Sequence, residues 1–578
     1  MSTAVSSNAG PLDPAGTGRR ASFAELFTPK LITVFREGYG LAQFRADLAA
    51  GLTVAIVALP LSMAIAIASG VPPERGLYTS IIGGFLISAL GGSRFQIGGP
   101  AGAFIVLVAA TGERHGIDGL LLATLIAGCL LVLSGYLRLG TYVKFIPYPV
   151  TVGFTAGIAV IILASQLKDL FGLTLAGKEP GPLVGKLITL AQAARTFNPD
   201  AAGVAVLAIV LILALRHWRP TWPGMLIAVG VAALAVSVLG LPVETIGTRY
   251  GGIPRSLPFP ALPSFDLGKA QAVLPDAVSF ALLGAIESLL SAVVADGMTN
   301  RRHRSNCELV AQGCANIGSA LFGGICATGT IARTATNVRA GAHGPVAGML
   351  HALFLLAFML VAAPLASYIP LSALAGVLAV VSWNMVERES VVALFRSSRG
   401  DAIVLVVTFA LVIFRDLTEG IVVGSALGAI LFIQRMASAI AIEAHLPSVH
   451  EDVADTVGGA RTPYHSEGSN ADTVIYRISG AFFFGTASTV AAVLDRIADQ
   501  RKNFVLDCSA VPWLDSTAAN ALAGAMRKAR RSSIRFVIAG ASQQVAQMLT
   551  AHGIQPPEAS FAVDVEDAVT QLGQSRPG

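Results

Sequence analysis

Residues 98–103, Gly-Gly-Pro-Ala-Gly-Ala, and residues 327–334, Ala-Thr-Gly-Thr-Ile-Ala-Arg-Thr, decide how this chain folds. Each follows an apolar run and a glycine pair, Gly91-Gly92 in the first case and Gly323-Gly324 in the second. Small residues and a proline in the first turn let a chain enter a helix in the middle of a bilayer. That is tolerable only where the bare backbone is buried in protein or lines a cavity. Both stretches therefore read as half-helices that start inside a membrane, the first at Ala101, Gly102 and Ala103, the second at Gly329, Thr330 and Ile331. The plainer reading of either stretch alone is a glycine-lined packing face. Two such stretches at corresponding places in two halves of a chain argue against it.

The chain around them has the composition of an integral membrane protein. Of 578 residues 54% are hydrophobic and 13% charged, with a mean hydropathy of +0.67. These values exclude a string of soluble domains, a disordered chain and a coiled coil. Five cysteines without paired spacing exclude a disulfide scaffold, and a net charge of +5 is too small for a nucleic-acid binder. Charge nearly vanishes over 48–73, 76–93, 95–112, 119–137, 145–167, 201–215 and 220–243. It does so again over 277–295, 309–332, a short helix near Gly329, 340–386 (two spans, divided at Pro364 and Pro370), 402–414 and 420–434. That predicts fourteen spans within 48–440, about 28 residues each with their connectors.

Counted from an inside start, the inner connectors collect eleven basic residues, among them Arg94, Arg138, Lys144 and Arg301, Arg302 and Arg304. The outer ones hold Arg75, Arg114 and Arg415, diluted by Glu74, Glu113, Asp416 and Glu419. Both termini are then cytosolic. Residues 1–47 read as a cytosolic arm rather than a signal peptide, and 441–472 as a polar linker. Residues 473–578 read as a small cytosolic α/β domain, with strands at 473–479, 504–511 and 534–540 and helices at 486–499 and 516–531.

By this topology one half-helix runs outward and the other inward, so their amino-terminal ends face each other near the midplane. Each end offers unpaired N–H groups and roughly half a positive charge, an anion site. Interrupted helices in two inverted halves mark the binding site of a secondary transporter. Arg333, one turn beyond Gly329, adds a full charge; the alternative is a snorkelling helix-end arginine. Glu287 has ten uncharged residues before it and eight after it. An ionised carboxylate at that depth costs at least ~2.5–3.5 kcal/mol, so it is protonated, paired or solvated by a cavity. It is the coupling candidate, a permanent structural ion pair being the alternative, and Ser291 lies one turn away on the same face. Gln312 and Asn316 read as interhelical hydrogen-bonding residues.

An ATP-driven pump is disfavoured. The nearest phosphate-loop match ends at Gly177-Lys178-Glu179, where a hydroxyl should follow the lysine. No catalytic motif, metal-ligand cluster or cofactor site appears. A passive anion channel and a membrane-tethered signalling protein remain as rivals from other classes.

The runs Leu283-Gly-Ala-Ile-Glu-Ser-Leu-Leu-Ser-Ala-Val-Val-Ala-Asp-Gly-Met-Thr299, Asn306-Cys-Glu-Leu-Val-Ala-Gln-Gly313, Ala332-Arg-Thr-Ala-Thr-Asn-Val-Arg339 and Val71-Pro-Pro-Glu-Arg-Gly-Leu-Tyr78 resemble the sulfate permease family of anion transporters. The tail resembles that family's STAS domain. The resemblance implies an α-helical polytopic membrane protein whose fourteen helices form two inverted repeats of seven. They divide into a core domain (helices 1–4 and 8–11) and a gate domain (5–7 and 12–14). An anion would bind between the starts of helices 3 and 10 and move by displacement of core against gate, in a homodimer.

Family members carry sulfate, bicarbonate or dicarboxylates, with proton or sodium coupling or by exchange. The segments around Glu287 and Gly329 look most similar to a bacterial proton-coupled C4-dicarboxylate transporter. In sodium-coupled bicarbonate members an aspartate stands where this chain has Glu287. Asp507-Cys-Ser509-Ala-Val511-Pro-Trp-Leu-Asp515-Ser516-Thr517 resembles the STAS phosphorylation loop. Ser516 is thereby a regulatory candidate, or simply an N-cap, and the domain a possible dock for a cytosolic partner.

Overall fold

The structure, a computed structural model, describes residues 22–177, 180, 183–219, 222–415, 417–438, 441–444, 473–483, 503–531, 534–556 and 559–574. The helix expected at 486–499, most of the expected linker, the first 21 residues, and Lys178 and Glu179 lie outside the described residues. Backbone contacts divide the chain into two compact units, Met1–Ser425 and Ala426–Gly578.

The first half of the larger unit holds α1 (Leu41–Ala68), α2 (Pro73–Tyr78) and α3 (Gly84–Leu90), the last two joined through a π-turn at Thr79–Gly83. Then come β1 (Gly98–Gly99), a tight turn at Gly102–Phe104, α4 (Ile105–Tyr136), α5 (Tyr148–Leu170), α6 (Pro199–Trp218) and α7 (Gly224–Leu239). The second half repeats the order with α8 (Leu267–Thr299), α9 (Ser305–Leu321), β2 (Thr328–Gly329), α10 (Ile331–Arg339), α11 (Val346–Ala366), α12 (Leu371–Met385) and α13 (Arg399–Phe414), and α14 (Leu417–Ser438) runs across the division at Ser425. In hydrocarbon every peptide group must find a partner inside the protein, so apolar segments of this length have little choice but helix.

Among the described residues seven helices are long and apolar enough to cross a bilayer by themselves. One of them, Gly102–Tyr136, bends at Gly116, whose φ of 68° only glycine adopts without strain, so two helices follow each other there. The run 309–332, expected as one span, is helical only to Leu321 and extended at β2 before α10 starts.

Packing sorts the helices into two lobes. α1, α3, α4, α8, α9, α10 and α11 pack chiefly on one another, and α5, α6, α7, α12 and α13 do likewise, with α1 touching α7 and α12 across the boundary. The crossing of α4 and α9 in the first lobe needs glycine on both sides. A Cβ on Gly128 of α4 would stand 2.8 Å from the Gly313 carbonyl oxygen of α9, and one on Gly313 would stand 2.5 Å from that of Gly128. Small residues let membrane helices approach this closely, and dispersion then holds them where lipid offers no hydrophobic drive.

The smaller unit carries a five-stranded sheet in chain order, β3 (Ala441–Ala444), β4 (Thr473–Ser479), β5 (Asn503–Ala510), β6 (Arg535–Ala539) and β7 (Ser560–Ala562). β3 runs antiparallel to β4 and the other pairs are parallel, so residues 441–444, expected in the linker, belong to the sheet. Phe504 stacks on Phe536 with ring centroids 4.7 Å apart. The helices are α15 (Ser516–Arg531), α16 (Gln543–Ala551) and α17 (Val565–Gln574). Burial pushes the Cys508 thiol up to about 12, leaving it an inert core residue.

Candidate functional site

β1 and β2 pair antiparallel, Gly98 opposite Gly329 and Gly99 opposite Thr328. Each strand leads straight into a helix start, so antiparallel pairing sends α4 and α10 away from each other and leaves their amino-terminal ends on either side of the crossing. Neither start carries a side-chain cap: Ala101 and Thr330 are extended, and no side chain bonds the first N–H groups. Those groups have no partner within the helix either.

Two pairs of strand residues cannot satisfy all the extended backbone, and one further backbone bond and several side chains supply the rest. Thr330 N–H donates to the Ile97 carbonyl (2.9 Å), Ile97 N–H to Thr334 Oγ1 (3.1 Å), Asn337 Nδ2 to the Phe95 carbonyl (2.9 Å) and Gln96 Nε2 to the Ser288 carbonyl (2.9 Å). Asn316 grips Ala327 twice, donating to its carbonyl at 2.8 Å and accepting from its N–H at 2.9 Å. Thr79 Oγ1 accepts from Ile325 N–H (2.7 Å), and Ser319 donates to the Ile325 carbonyl (2.6 Å). Glu308, wholly buried, takes the Ser93 N–H (3.0 Å) and Gln312 Nε2 (2.8 Å). Asn316 thus holds an extended segment, and Gln312 a buried acid.

Arg333 is 1% exposed. Its Nη1 donates to Ser80 Oγ (3.1 Å), and its Nη2 to Ser62 Oγ (3.1 Å) and the Pro100 carbonyl (3.4 Å). These acceptors are neutral, and among the described residues no carboxylate forms an ion pair with Arg333. The guanidinium lies where a Cβ on Gly99 would be, and Gln96 fills the corresponding space at Gly329. Gly329 is thus a strand residue rather than the first residue of the half-helix, and Pro100 likewise precedes the turn. The site borders the second lobe at Gly102, whose added Cβ would meet Ile162 of α5 at 3.0 Å and Met385 of α12 at 3.8 Å.

Of the residues singled out in the sequence, Ala101, Gly102, Ala103, Thr330, Ile331 and Arg333 come together around the crossing. Glu287 is buried on α8 and makes no ion pair with Arg333. Ser291 donates to Thr334 Oγ1 (3.1 Å), which ties α8 to α10. Ser62 and Ser80, which hold the guanidinium, escaped sequence reading; Ser62 is a lone hydroxyl within an apolar run, and Ser80 stands beside Thr79. His351, wholly buried on α11, escaped it too.

Two ties outside the spans fasten the chain that leads to β1. Glu37, just after the short helix Lys30–Arg36, pairs with the buried Arg94, whose hydrogen bond holds the Glu37 carboxyl below its ordinary range. Arg304 Nη1 donates to Thr33 Oγ1 (3.1 Å). In the smaller unit Ser516 is exposed at the first turn of α15. Its cap is Asp515, which accepts from Ala518 N–H at 2.8 Å, so the N-cap role belongs to Asp515 and not to Ser516.

Comparison with known proteins matches residues 44–408 to the sulfate permease family and 467–568 to the STAS domain. The protein named "Putative sulfate transporter YvdB" of Bacillus subtilis is 40% identical over 521 residues, 90% of this chain and 95% of that protein. The bicarbonate transporter BicA of Picosynechococcus is 30% identical over 528 residues, 88% of this chain and 90% of that one. The murine Slc26a9 anion transporter, solved in an inward-facing state, shares the fold at a TM-score of 0.82 and 18% identity, over 97% of this chain and 96% of that one.

Proposed function

The chain belongs to the sulfate permease family and carries a STAS domain, and from that premise we propose a secondary active transporter that carries a dianion, sulfate or a C4-dicarboxylate, together with a proton. The observation that carries this reading is Arg333, a buried guanidinium with only neutral acceptors, between two uncapped helix starts. One full charge and two helix ends of roughly half a charge each amount to about two positive charges, which a dianion balances. Ala101, Gly102, Ala103, Gly329, Thr330, Ile331 and Arg333 form the binding site.

Glu287 is the coupling group, and Ser291 fixes α10 beside it. A neutral Glu287 leaves the site's charge matched to a dianion and an ionised one does not, so substrate and proton load together. The first lobe is the core and slides against the second, the gate, in an elevator-like movement that carries the crossing past Ile162 and Met385. Fourteen spans within 48–440 put both termini, and the STAS domain at 473–578, in the cytosol of a bacterium's inner membrane. The protein works as a homodimer, and phosphorylation of the exposed Ser516 modulates docking of a cytosolic partner.

The relationship to BicA favours a second reading, bicarbonate transport or exchange. The test is competition among sulfate, succinate, fumarate, bicarbonate and chloride for uptake into proteoliposomes, with and without an inward proton gradient. Accumulation of sulfate or succinate above equilibrium only with the gradient is the expected result. Sodium-driven bicarbonate uptake would establish the second reading, and flux that never exceeds equilibrium would make the protein a channel.

A further inference from the structure

Between α7 and α8 the chain crosses residues 251–266 with neither helix nor strand, through Pro254, Pro258, Pro260 and Pro263. Along it Phe259 is 94% exposed, Leu262 81% and Phe265 71%, and Leu267, which opens α8, is 68% exposed. These apolar side chains are the opposite of what a water-facing loop selects, since burying each would remove far more apolar surface from water than it costs in order. The first three are spaced by three, the repeat that proline-rich extended chain places along one edge. The segment is nevertheless fixed. Ala261 N–H donates to the Leu321 carbonyl at the end of α9 (2.9 Å), Ser264 Oγ to Asp118 Oδ2 (3.2 Å) and Lys269 Nζ to Ser264 Oγ (3.1 Å), while Pro263 is buried.

We infer that residues 259–267 form a membrane-surface strap whose apolar edge lies in the headgroup–acyl boundary of the bilayer. Three observations choose lipid over another protein surface. The edge continues the exposed face of α8, where Leu274 and Val278 follow Leu267 at helical spacing, so the row that faces hydrocarbon on the spanning helix runs on without a break. Exposed cations flank it, Arg255 four residues before Phe259 and Lys269 four after Phe265, as interfacial segments place them toward lipid phosphates. A single row of side chains is also too narrow for a self-complementary interface between two copies. The strap's hydrogen bonds reach α4 and α9, so it moors the end of the first lobe to the membrane surface.

The test attaches the polarity-sensitive fluorophore NBD to Phe259→Cys or Phe265→Cys in the full chain, with the exposed Cys129 replaced by serine. The protein sits one chain per nanodisc of phosphatidylcholine and phosphatidylglycerol. A blue-shifted emission that is largely lost to lipid brominated near the headgroup, and barely affected by aqueous iodide, is expected at both positions. Ala261→Cys, which is exposed but off the edge, should show the reverse. Iodide quenching at 259 and 265 would overturn the strap, and so would a blue shift found only when two chains share a disc, which would make the edge a contact between copies.

Discussion

Residues 95–104 and 325–334 follow the same path, extended chain, two strand residues and an uncapped helix start, yet the first brings no charged or hydroxyl side chain to the crossing while the second brings Thr330, Arg333 and Thr334. The first segment is held largely by the second half of the chain, through Thr334, Asn337 and the Ser288 carbonyl. In return Arg333 makes its hydrogen bonds to Ser62, Ser80 and Pro100, all in the first half. Two inverted halves therefore share a backbone device and divide the labour. One half supplies a cradle of glycine and serine, the other the charge, and that cation touches the half it does not belong to.

If the backbone is the shared part, the strand glycines should be equally intolerant. Gly99→Ala would drive a methyl into the Arg333 guanidinium and Gly329→Ala into the Gln96 amide. Overpacking of this kind costs about 1–3 kcal/mol, and both variants are expected to lose nearly all uptake in proteoliposomes and to unfold at lower temperature. Wild-type uptake by either one would break the equivalence.

If chemistry is the divided part, removing the acid should separate binding from coupling. α1, which occupies in the first half the place of α8, has no ionisable residue between Val54 and Ala68, so nothing there replaces Glu287. Glu287→Gln is expected to keep substrate affinity within about twofold, a difference of less than ~0.5 kcal/mol, while accumulation falls to equilibrium. Accumulation driven by the proton gradient to the wild-type level would remove Glu287 from the mechanism.

The smallest effect lies at Arg94, just before the first break. Because Arg94 lowers the folded-state value of Glu37, their pair contributes its stability above the ordinary carboxylate pKa of about 4.3 and loses it as pH falls through the lowered value. Glu37 is about half exposed (46%), so the contribution sits near the surface-pair range of ~0.2–1 kcal/mol. The melting difference between wild type and Glu37→Gln should be measurable at pH 7 and vanish once the pH has fallen through the lowered value of Glu37. A difference independent of pH would assign it to packing instead.

The sequence exposed much of this arrangement because several of its causes are local. Gly-Gly pairs, a proline and a lone arginine mark the breaks, and the helical period of 516–531 coincides with α15. Other features depend on distant partners. A strand of two residues has no period to read, so β1 and β2 become visible only when paired. Gly329 is glycine because Gln96 comes from the other half, and Asn316 and Thr79 gain meaning only from Ala327 and Ile325. Glu308 was hidden because it stands four residues after Arg304, among charges that look like a solvated connector, while the fold buries it completely. The cap of α15 shows the same limit at short range: Asp515 and Ser516 are both good caps, and only the structure tells which one precedes the helix.

In the proposed function Arg333 holds the anion at the crossing. Calorimetric titration of sulfate into the purified full-length protein, wild type against Arg333→Gln, tests it most directly. Arg333→Gln is expected to weaken binding at least about tenfold, some ~1.4 kcal/mol, without lowering the melting temperature, because among the described residues the charge it removes has no acidic partner. Sulfate bound by Arg333→Gln with unaltered affinity would contradict it.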